Sequence, residues 1–549
     1  MSAANRDSLD GLSLDRKLGL MVWSPFCGSH SREKSLYSFS SRELASQGLI
    51  GGILVKEGEL YESATRISAI QQESPMPLVV AADIENGLGT LLPGGTQFPS
   101  NMAFGATRSR EYGYLAGRVT AEEASAVGIN LVLGPTCTRF GSGLPEGLPP
   151  VRVFGEKLHL VERFSTSFIK GVHAGGSVAA PRYYPGAAAV YQGRCTGSKW
   201  LHSLRKLLLD TELGIFETLS QDGLAALTAD WREMPDLITG ESSPVTANYN
   251  LLEVFLREEG GFKGVVLSPD LTDPALAWFL EDSMLVRAVN GGVDVLLGVP
   301  EPERVRKLLY QAVVREQIPL SRIDKAAERI LALKDKMKNI GAGSIHPEEI
   351  DSKVASPANL EVVDRVAEDS ITLLRDRKGL LPLDPGQNLT LLNLSFTARH
   401  DPALDKPLEE ALRKAFDRVA ARQIDSRAST AKLNKAWQEA QTAGVILCSM
   451  FPNQPPEYSA LGFSPTQVEF VRRLIESCQR VMVASFGDPR MLTLFPEVDC
   501  YLCLYSDCPA SQAALVRDIF GELIMPIKGK LPLSLGAGYP YGFGLDLSQ

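Results

Sequence analysis

The stretch "GVVLSPDLTD", Gly264–Asp273, reads as a short, β-branched, fully apolar strand that runs out into a polar loop carrying a carboxylate. Seven further runs of the same kind are spaced along the first 335 residues: "LGLMVWSP" (Leu18–Pro25), "GGILV" (Gly51–Val55), "PLVVAAD" (Pro77–Asp83), "INLVLGP" (Ile129–Pro135), "SVAAPR" (Ser177–Arg182), "GLAALTAD" (Gly223–Asp230) and "GVDVLLGV" (Gly292–Val299). Stretches with helical periodicity separate them. Strands that are apolar on both faces and alternate with helices build a parallel sheet covered by helices, and eight such units fit a closed (β/α)₈ barrel of the TIM type better than an open sheet. In such a barrel the loops after the strand ends form the active face, so the polar residues closing the runs become candidate site residues: Asp83, Arg182, Asp230 and Asp270. A polar residue at a strand end is also an ordinary loop starter or cap. Four on one rim carry more weight than any one alone.

A chain of 549 residues exceeds what one core supports, and its 44% hydrophobic content fills two domains. The net charge of −9, with 22% charged residues of mixed sign, offers no basic stripe for a nucleic acid and no polybasic patch for a membrane. No basic leader followed by an apolar run opens the chain, and no apolar stretch of about 18 residues follows, so a cytoplasmic location is expected. The eight cysteines are scattered. Cys500 and Cys503 lie three apart in a strand-like run, hence on opposite faces, with no histidine nearby; they read as structural, and no metal site is expected.

The barrel is assigned to 1–340, ending with the helix "SRIDKAAERILALKDKM" (Ser321–Met337). A Gly/Pro/Ser-containing linker and connecting helix occupy 341–370, and a smaller α/β domain spans 371–549. The strands of that second domain, "LTLLNLSF", "AGVILCSMF", "QRVMVASFG" and "VDCYLCLYS", alternate with helical segments. It has no Gly-rich phosphate fingerprint, and no cofactor is expected.

Ordered motifs along nearly the whole chain resemble glycoside hydrolase family 3. "LVVAADIENGLGTLLPGGTQFPSNMAFGAT" (78–107) is similar to that family's Asp-x-Glu-Gly-Gly turn followed by Phe-Pro-x-x-Met-x-x-Gly-Ala-Thr. "VRVFGE" (151–156) is similar to its Arg-Ser-Phe-Gly-Glu, "APRYYPGAAA" (180–189) to its Lys-His-Phe-Pro-Gly-His-Gly, and "LREEGGFKGVVLSPDL" (256–271) to the segment bearing its nucleophile. "AEDSITLLRDRKGLLPL" (367–383) and "GKLPLSLGAGYPYGFGL" (529–545) resemble the opening and the end of the family's C-terminal domain. The nearest pattern is the bacterial β-N-acetylglucosaminidase branch.

The resemblance implies retaining hydrolysis, which needs a carboxylate nucleophile and a separate acid/base. Here the pattern breaks. The family's nucleophile is the Asp directly after the strand-end Ser; in this chain Ser268 is followed by Pro269, which has no nucleophilic atom. Asp270, one residue on, is the nearest carboxylate, and strand alternation points it the other way. The acid/base of the acetylglucosaminidase branch is a His in an Asp-Ser-His loop. The corresponding positions are Gly193, Arg194 and Cys195, and "GAAAVYQGRCTG" contains neither His nor Asp. Of the six histidines, His159, His173 and His202 fall in helical segments, His346 and His400 lie beyond the barrel, and only His30, after the first strand, could reach the rim. Some branches recruit a Glu from the C-terminal domain as the acid, which still leaves no nucleophile.

By the same resemblance Asp83 and Arg152 match sugar-binding residues, and Arg182 replaces a Lys with charge kept. Tyr183 stands in place of a His and Leu91 in place of an Arg. Arg for Lys changes geometry, because a planar fork replaces a point charge. Asp83 and Arg152 could equally persist as a rim ion pair with no ligand. Two functions remain open: a non-catalytic carbohydrate-binding, regulatory or scaffold protein with a saccharide or amino-sugar ligand, or an active β-glycosidase with relocated catalytic groups.

Overall fold

A computed structural model describes residues 11–36, 40–141, 148–186, 212–339, 349–383, 390–452, 461–519 and 527–546. Chain contacts divide the molecule into two compact units: one of Met1–Gln97, Gly113–Leu144 and Glu162–Asn359, the other of Phe98–Tyr112, Pro145–Val161 and Leu360–Gln549.

The first unit is the (β/α)₈ barrel. Its parallel strands are β1 (Trp23–Cys27), β2 (Gly52–Glu57), β3 (Val79–Ala82), β4 (Leu131–Thr136), β5 (Val178–Tyr184), β6 (Ala226–Ala229), β9 (Val265–Asp270) and β10 (Val295–Leu297), neighbours in that order. A small antiparallel ribbon, β7 (Glu233–Pro235) with β8 (Ser242–Pro244), is inserted after β6. The ring closes where Val22 bridges Leu296 and the Val299 amide donates to the Trp23 carbonyl at 2.9 Å. Nearly every strand position is buried, which is why the runs read as continuously apolar. One boundary differs from expectation. The run from Leu18 begins in a helix, Leu14–Met21, because Ser13 caps the Arg16 amide and Leu18 and Met21 continue an apolar face from Leu14; the strand starts only at Trp23.

At the N-terminal end of β10, Asp294 is fully buried and accepts from Arg257, Arg322 and Arg329, with the Val266 amide as a fourth donor at 3.0 Å. This cluster ties β9 and β10 to the helices bearing the three arginines.

The second unit is built on a six-stranded sheet in the order β11-β16-β15-β14-β12-β13. Its strands are β11 (Thr372–Asp376), β12 (Leu391–Thr397), β13 (Val419–Asp425), β14 (Val445–Met450), β15 (Val481–Ser485) and β16 (Cys500–Cys503). All pair in parallel except β11, which runs antiparallel to β16. Cys500 and Cys503 are both buried and free in β16, and burial raises both thiols well above their ordinary value. Among the described residues, no group of His, Cys, Asp and Glu is arranged to hold a metal, and no helix is long and apolar enough to cross a membrane.

Candidate functional site

Asp83 follows β3 directly and its Oδ1 accepts from Arg182 Nη2 on β5. The Asp83 side chain is 42% exposed, while that of Arg182 is 8% exposed. The guanidinium also lies 3.5 Å from Oε1 of Glu85, whose side chain is only 1% exposed. Glu85 is anchored from β4: its Oε2 accepts the Thr136 amide at 2.8 Å, and the Thr136 hydroxyl lies 3.1 Å from the same oxygen. Gly134 makes room for it, since a Cβ there would lie 2.7 Å from the Glu85 Cβ, and its φ of +138° suits glycine. A buried carboxylate needs such partners, because removal from water costs several kcal/mol per ion.

Next along the rim, the Arg182 guanidinium lies 5.6 Å from the ring centroid of Tyr183, and Tyr183 meets Trp231 edge to face at 5.2 Å and 87°. Trp231 is held between Asp230 and Arg232. Asp230 is 1% exposed, donates its amide to the Tyr184 carbonyl at 2.8 Å, and receives both the Arg232 amide and the Arg232 Nε at 3.0–3.1 Å. The candidate Asp230 is thus a buried clamp residue, not an exposed ligand group.

At β9 the Ser268 hydroxyl donates to the Pro269 carbonyl at 2.8 Å and accepts the Leu297 amide at 2.9 Å. The register with β10 slips here, so Ser268 and Pro269 occupy the irregular step and the serine hydroxyl supplies an acceptor where the strand ladder is interrupted. Pro269 is buried. Asp270 is committed on both oxygens: Oδ1 accepts the Thr272 amide at 3.0 Å and the Thr272 hydroxyl at 2.7 Å, and Oδ2 pairs with Lys56, the residue that follows the apolar part of β2. A Cβ at Gly298, whose φ is +69°, would fall 2.5 Å from Asp270 Oδ1, so glycine is required there as well.

Of the other candidates, His30 is exposed and opens the helix His30–Leu36 past β1, with its amide donating to Glu62. His173 lines a cavity of about 250 Å³ between helices, and burial, aided by Lys336, pushes its imidazole down to about 4, so it is neutral packing. Leu91 is half-buried after the turn Leu88–Thr90. Arg152 belongs to the second unit, in the turn Pro150–Arg152, where its carbonyl accepts from Asn101 at 2.8 Å. Gly193, Arg194 and Cys195 lie outside the described residues. Lys56, Glu85, Trp231 and Arg232 were not singled out from sequence. Lys56 ends a strand run just as Asp83 does, and Glu85 sits in the Asp-x-Glu turn; both carried a usable signal.

A family model described as the glycosyl hydrolase family 3 N terminal domain matches residues 15–333. The chain is 24% identical over 392 residues to a beta-N-acetylglucosaminidase/beta-glucosidase of Cellulomonas fimi, covering 69% of this chain and 67% of that protein. It is 24% identical over 374 residues to beta-hexosaminidase A of Pseudoalteromonas piscicida, covering 62% of each. The match thus spans about two thirds of the length of these curated relatives. A glycoside hydrolase family 3 beta-N-acetylglucosaminidase from Paenibacillus sp. str. FPU-7 superposes with a TM-score of 0.80 at 25% identity, over 96% of this chain and 99% of that one.

Proposed function

The chain belongs to glycosyl hydrolase family 3, and on that footing we propose that it is a non-catalytic member whose barrel rim binds a saccharide or amino sugar in a binding or regulatory role. The observation that carries this is the state of Asp270. With Pro269 at the position where the family resemblance puts the nucleophile, Asp270 is the nearest carboxylate, and both its oxygens are engaged by Thr272 and Lys56. A nucleophile needs an in-line lone pair close to the anomeric carbon; the Asx turn with Thr272 occupies both acceptor sites of Oδ1, and Lys56 lies on Oδ2, so attack through Oδ2 has to compete with that ammonium group. The absence of His and Asp from the acid/base stretch supports the same conclusion, since a missing acid alone costs about 10²- to 10⁴-fold. The exposed Asp83 carboxylate beside Arg182 supplies the hydrogen-bonding groups of a sugar site.

The test is turnover of chromogenic β-N-acetylglucosaminide and β-glucoside beside calorimetric binding of the same sugars. No release above a buffer blank is expected, with wild type and Asp270→Asn indistinguishable. Hydrolysis by the wild type that disappears in Asp270→Asn would overturn the non-catalytic conclusion. The repair Pro269→Asp is expected to stay silent too, because a proton donor is still missing. Robust turnover from that single change would place a working acid elsewhere in the chain.

A further inference from the structure

We infer that the floor of the barrel, on the face opposite the rim, carries a binding site for a small phosphomonoester; this goes beyond the saccharide-binding function and uses none of its residues. A cavity of about 380 Å³ lies where β6 and β9 begin, between the residues leading into those strands and the helix Leu320–Asn339. That is a volume in which small ligands are held. The Val265 amide donates to the Ala225 carbonyl at 2.9 Å, which fixes the two strand entries side by side. Gly223 and Gly261, which line the cavity, have φ of +82° and +72°, and a Cβ on either would meet no atom within 4 Å, so both turns leave space beside the backbone. From the helix, Arg329, Ala332 and Lys336 line the cavity at the i, i+3, i+7 spacing of one helix face.

The charges around this cavity do not balance. Arg329 is held by Glu253 and Asp294, and Asp222, beside Gly223, pairs with Lys170 at 3.7 Å in the adjoining cavity. Two lysines are left. Lys336 Nζ donates to the Gly223 carbonyl at 2.7 Å, which uses one of its three hydrogens. Burial lowers its ammonium below the ordinary value, and no carboxylate among the described residues opposes that shift. Lys263 is exposed, and its ammonium has no ion pair among the described residues. The amides of Lys263 and Gly264 likewise donate to no backbone carbonyl among the described residues. A partly buried cation without a counter-ion costs free energy, and an anion in the cavity offsets that cost. The donors also select among anions. A carboxylate is best met by a planar fork, and the fork here, Arg329, is spent; separate point donors suit the three oxygens of a phosphoryl group, and lysine serves phosphate in that way. Bare phosphate is smaller than this cavity, which leaves room for the alcohol part of an ester.

The experiment uses the full chain and three probes, glycerol 2-phosphate, inorganic phosphate and succinate, titrated by calorimetry at one fixed ionic strength so that general screening is constant. Glycerol 2-phosphate is expected to bind saturably and most tightly. Lys263→Gln, at an exposed position, and Lys336→Gln, which keeps a donor for the Gly223 carbonyl, should each weaken it by roughly tenfold, the loss of one charge-assisted hydrogen bond. Ala332→Glu adds a carboxylate from the same helix face and should abolish binding; alanine and glutamate are both good helix formers, so its unfolding midpoint without ligand should stay near that of the wild type. A wild type that binds neither phosphate probe, or wild-type affinity for glycerol 2-phosphate in Lys263→Gln and Ala332→Glu, would overturn the site. Succinate binding as tight as the phosphate probes would overturn the phosphoryl assignment, and inorganic phosphate binding as tight as the ester would overturn the ester.

Discussion

Replacing Asp294 by Ala destabilises the barrel by about 3–5 kcal/mol, the usual cost of stranding buried charges. Asp294 is fully buried, and its oxygens take Arg257 Nη2 at 2.6 Å and Arg322 Nη2 and Arg329 Nη1 at 3.0 Å each. Burial alone would push its carboxyl up, but the three guanidinium groups and the Val266 amide outweigh that and hold it below the ordinary value. Removing it leaves three cations around a hole. Glu253 still reaches Arg257 and Arg329 at 3.3 Å, whereas the ion pair that Arg322 makes is with Asp294 itself. Asp294→Asn keeps the shape and one acceptor, so its loss should be smaller. Urea unfolding monitored on the barrel's transition measures both, and an unchanged midpoint in Asp294→Ala would show that the cluster is not a stabilising hub. The depressed carboxyl also fixes a sign. Its contribution is present above the ordinary carboxylate value near 3.8 and is lost as pH falls through the lower folded value.

The second large effect has the opposite sign and lies in the second unit. Asp518, on the helix Pro509–Ile519, is 4% exposed, and among the described residues its Oδ2 has no hydrogen-bond partner. Burial first, then the neighbouring Glu368, raises its carboxyl; Arg517 opposes them and Asp369 adds to them, leaving it at about 8. The folded form therefore binds a proton that the unfolded chain has released, and stability falls as pH rises from about 4 to about 8 and levels off above that. Asp518→Asn removes the titrating group. The variant is expected to match wild type near pH 4 and to exceed it at pH 9 by on the order of a few kcal/mol, with a flatter profile between. Thermal unfolding across that range measures it. Parallel profiles for the two proteins would mean that Asp518 is already solvated or paired when charged.

Elements buried on both sides were legible in the sequence, and elements that owe their place to the sheet edge were not. All eight barrel strands announced themselves because each is covered inside and out. In the second unit β12, β14, β15 and β16 did so for the same reason. β13, "VAARQID", is an edge strand buried on few positions, and β11, "TLLRD", ends on charged residues; neither has an apolar run long enough to show. At the rim, Asp83 and Arg182 could be named from strand ends alone. That they bind each other, that Lys56 takes Asp270 from 214 residues away, and that Asp230 is spent on Arg232 are properties of register across the barrel. Strand-end position marks a residue as facing the rim. It does not reveal whether a neighbouring cation has already claimed it.

The central proposal is that Asp270, the carboxylate nearest the nucleophile position, forms no glycosyl intermediate and that no other carboxylate takes its place, and intact-mass spectrometry after incubation with a 2-deoxy-2-fluoro-β-glucosyl donor bearing a good leaving group tests it directly. The slowed second step of retaining hydrolysis would accumulate any covalent adduct. An unchanged mass for wild type and for Asp270→Asn alike is the predicted result. A wild-type mass increased by one fluoroglycosyl unit, mapped to Asp270 or to any other carboxylate, would contradict the account.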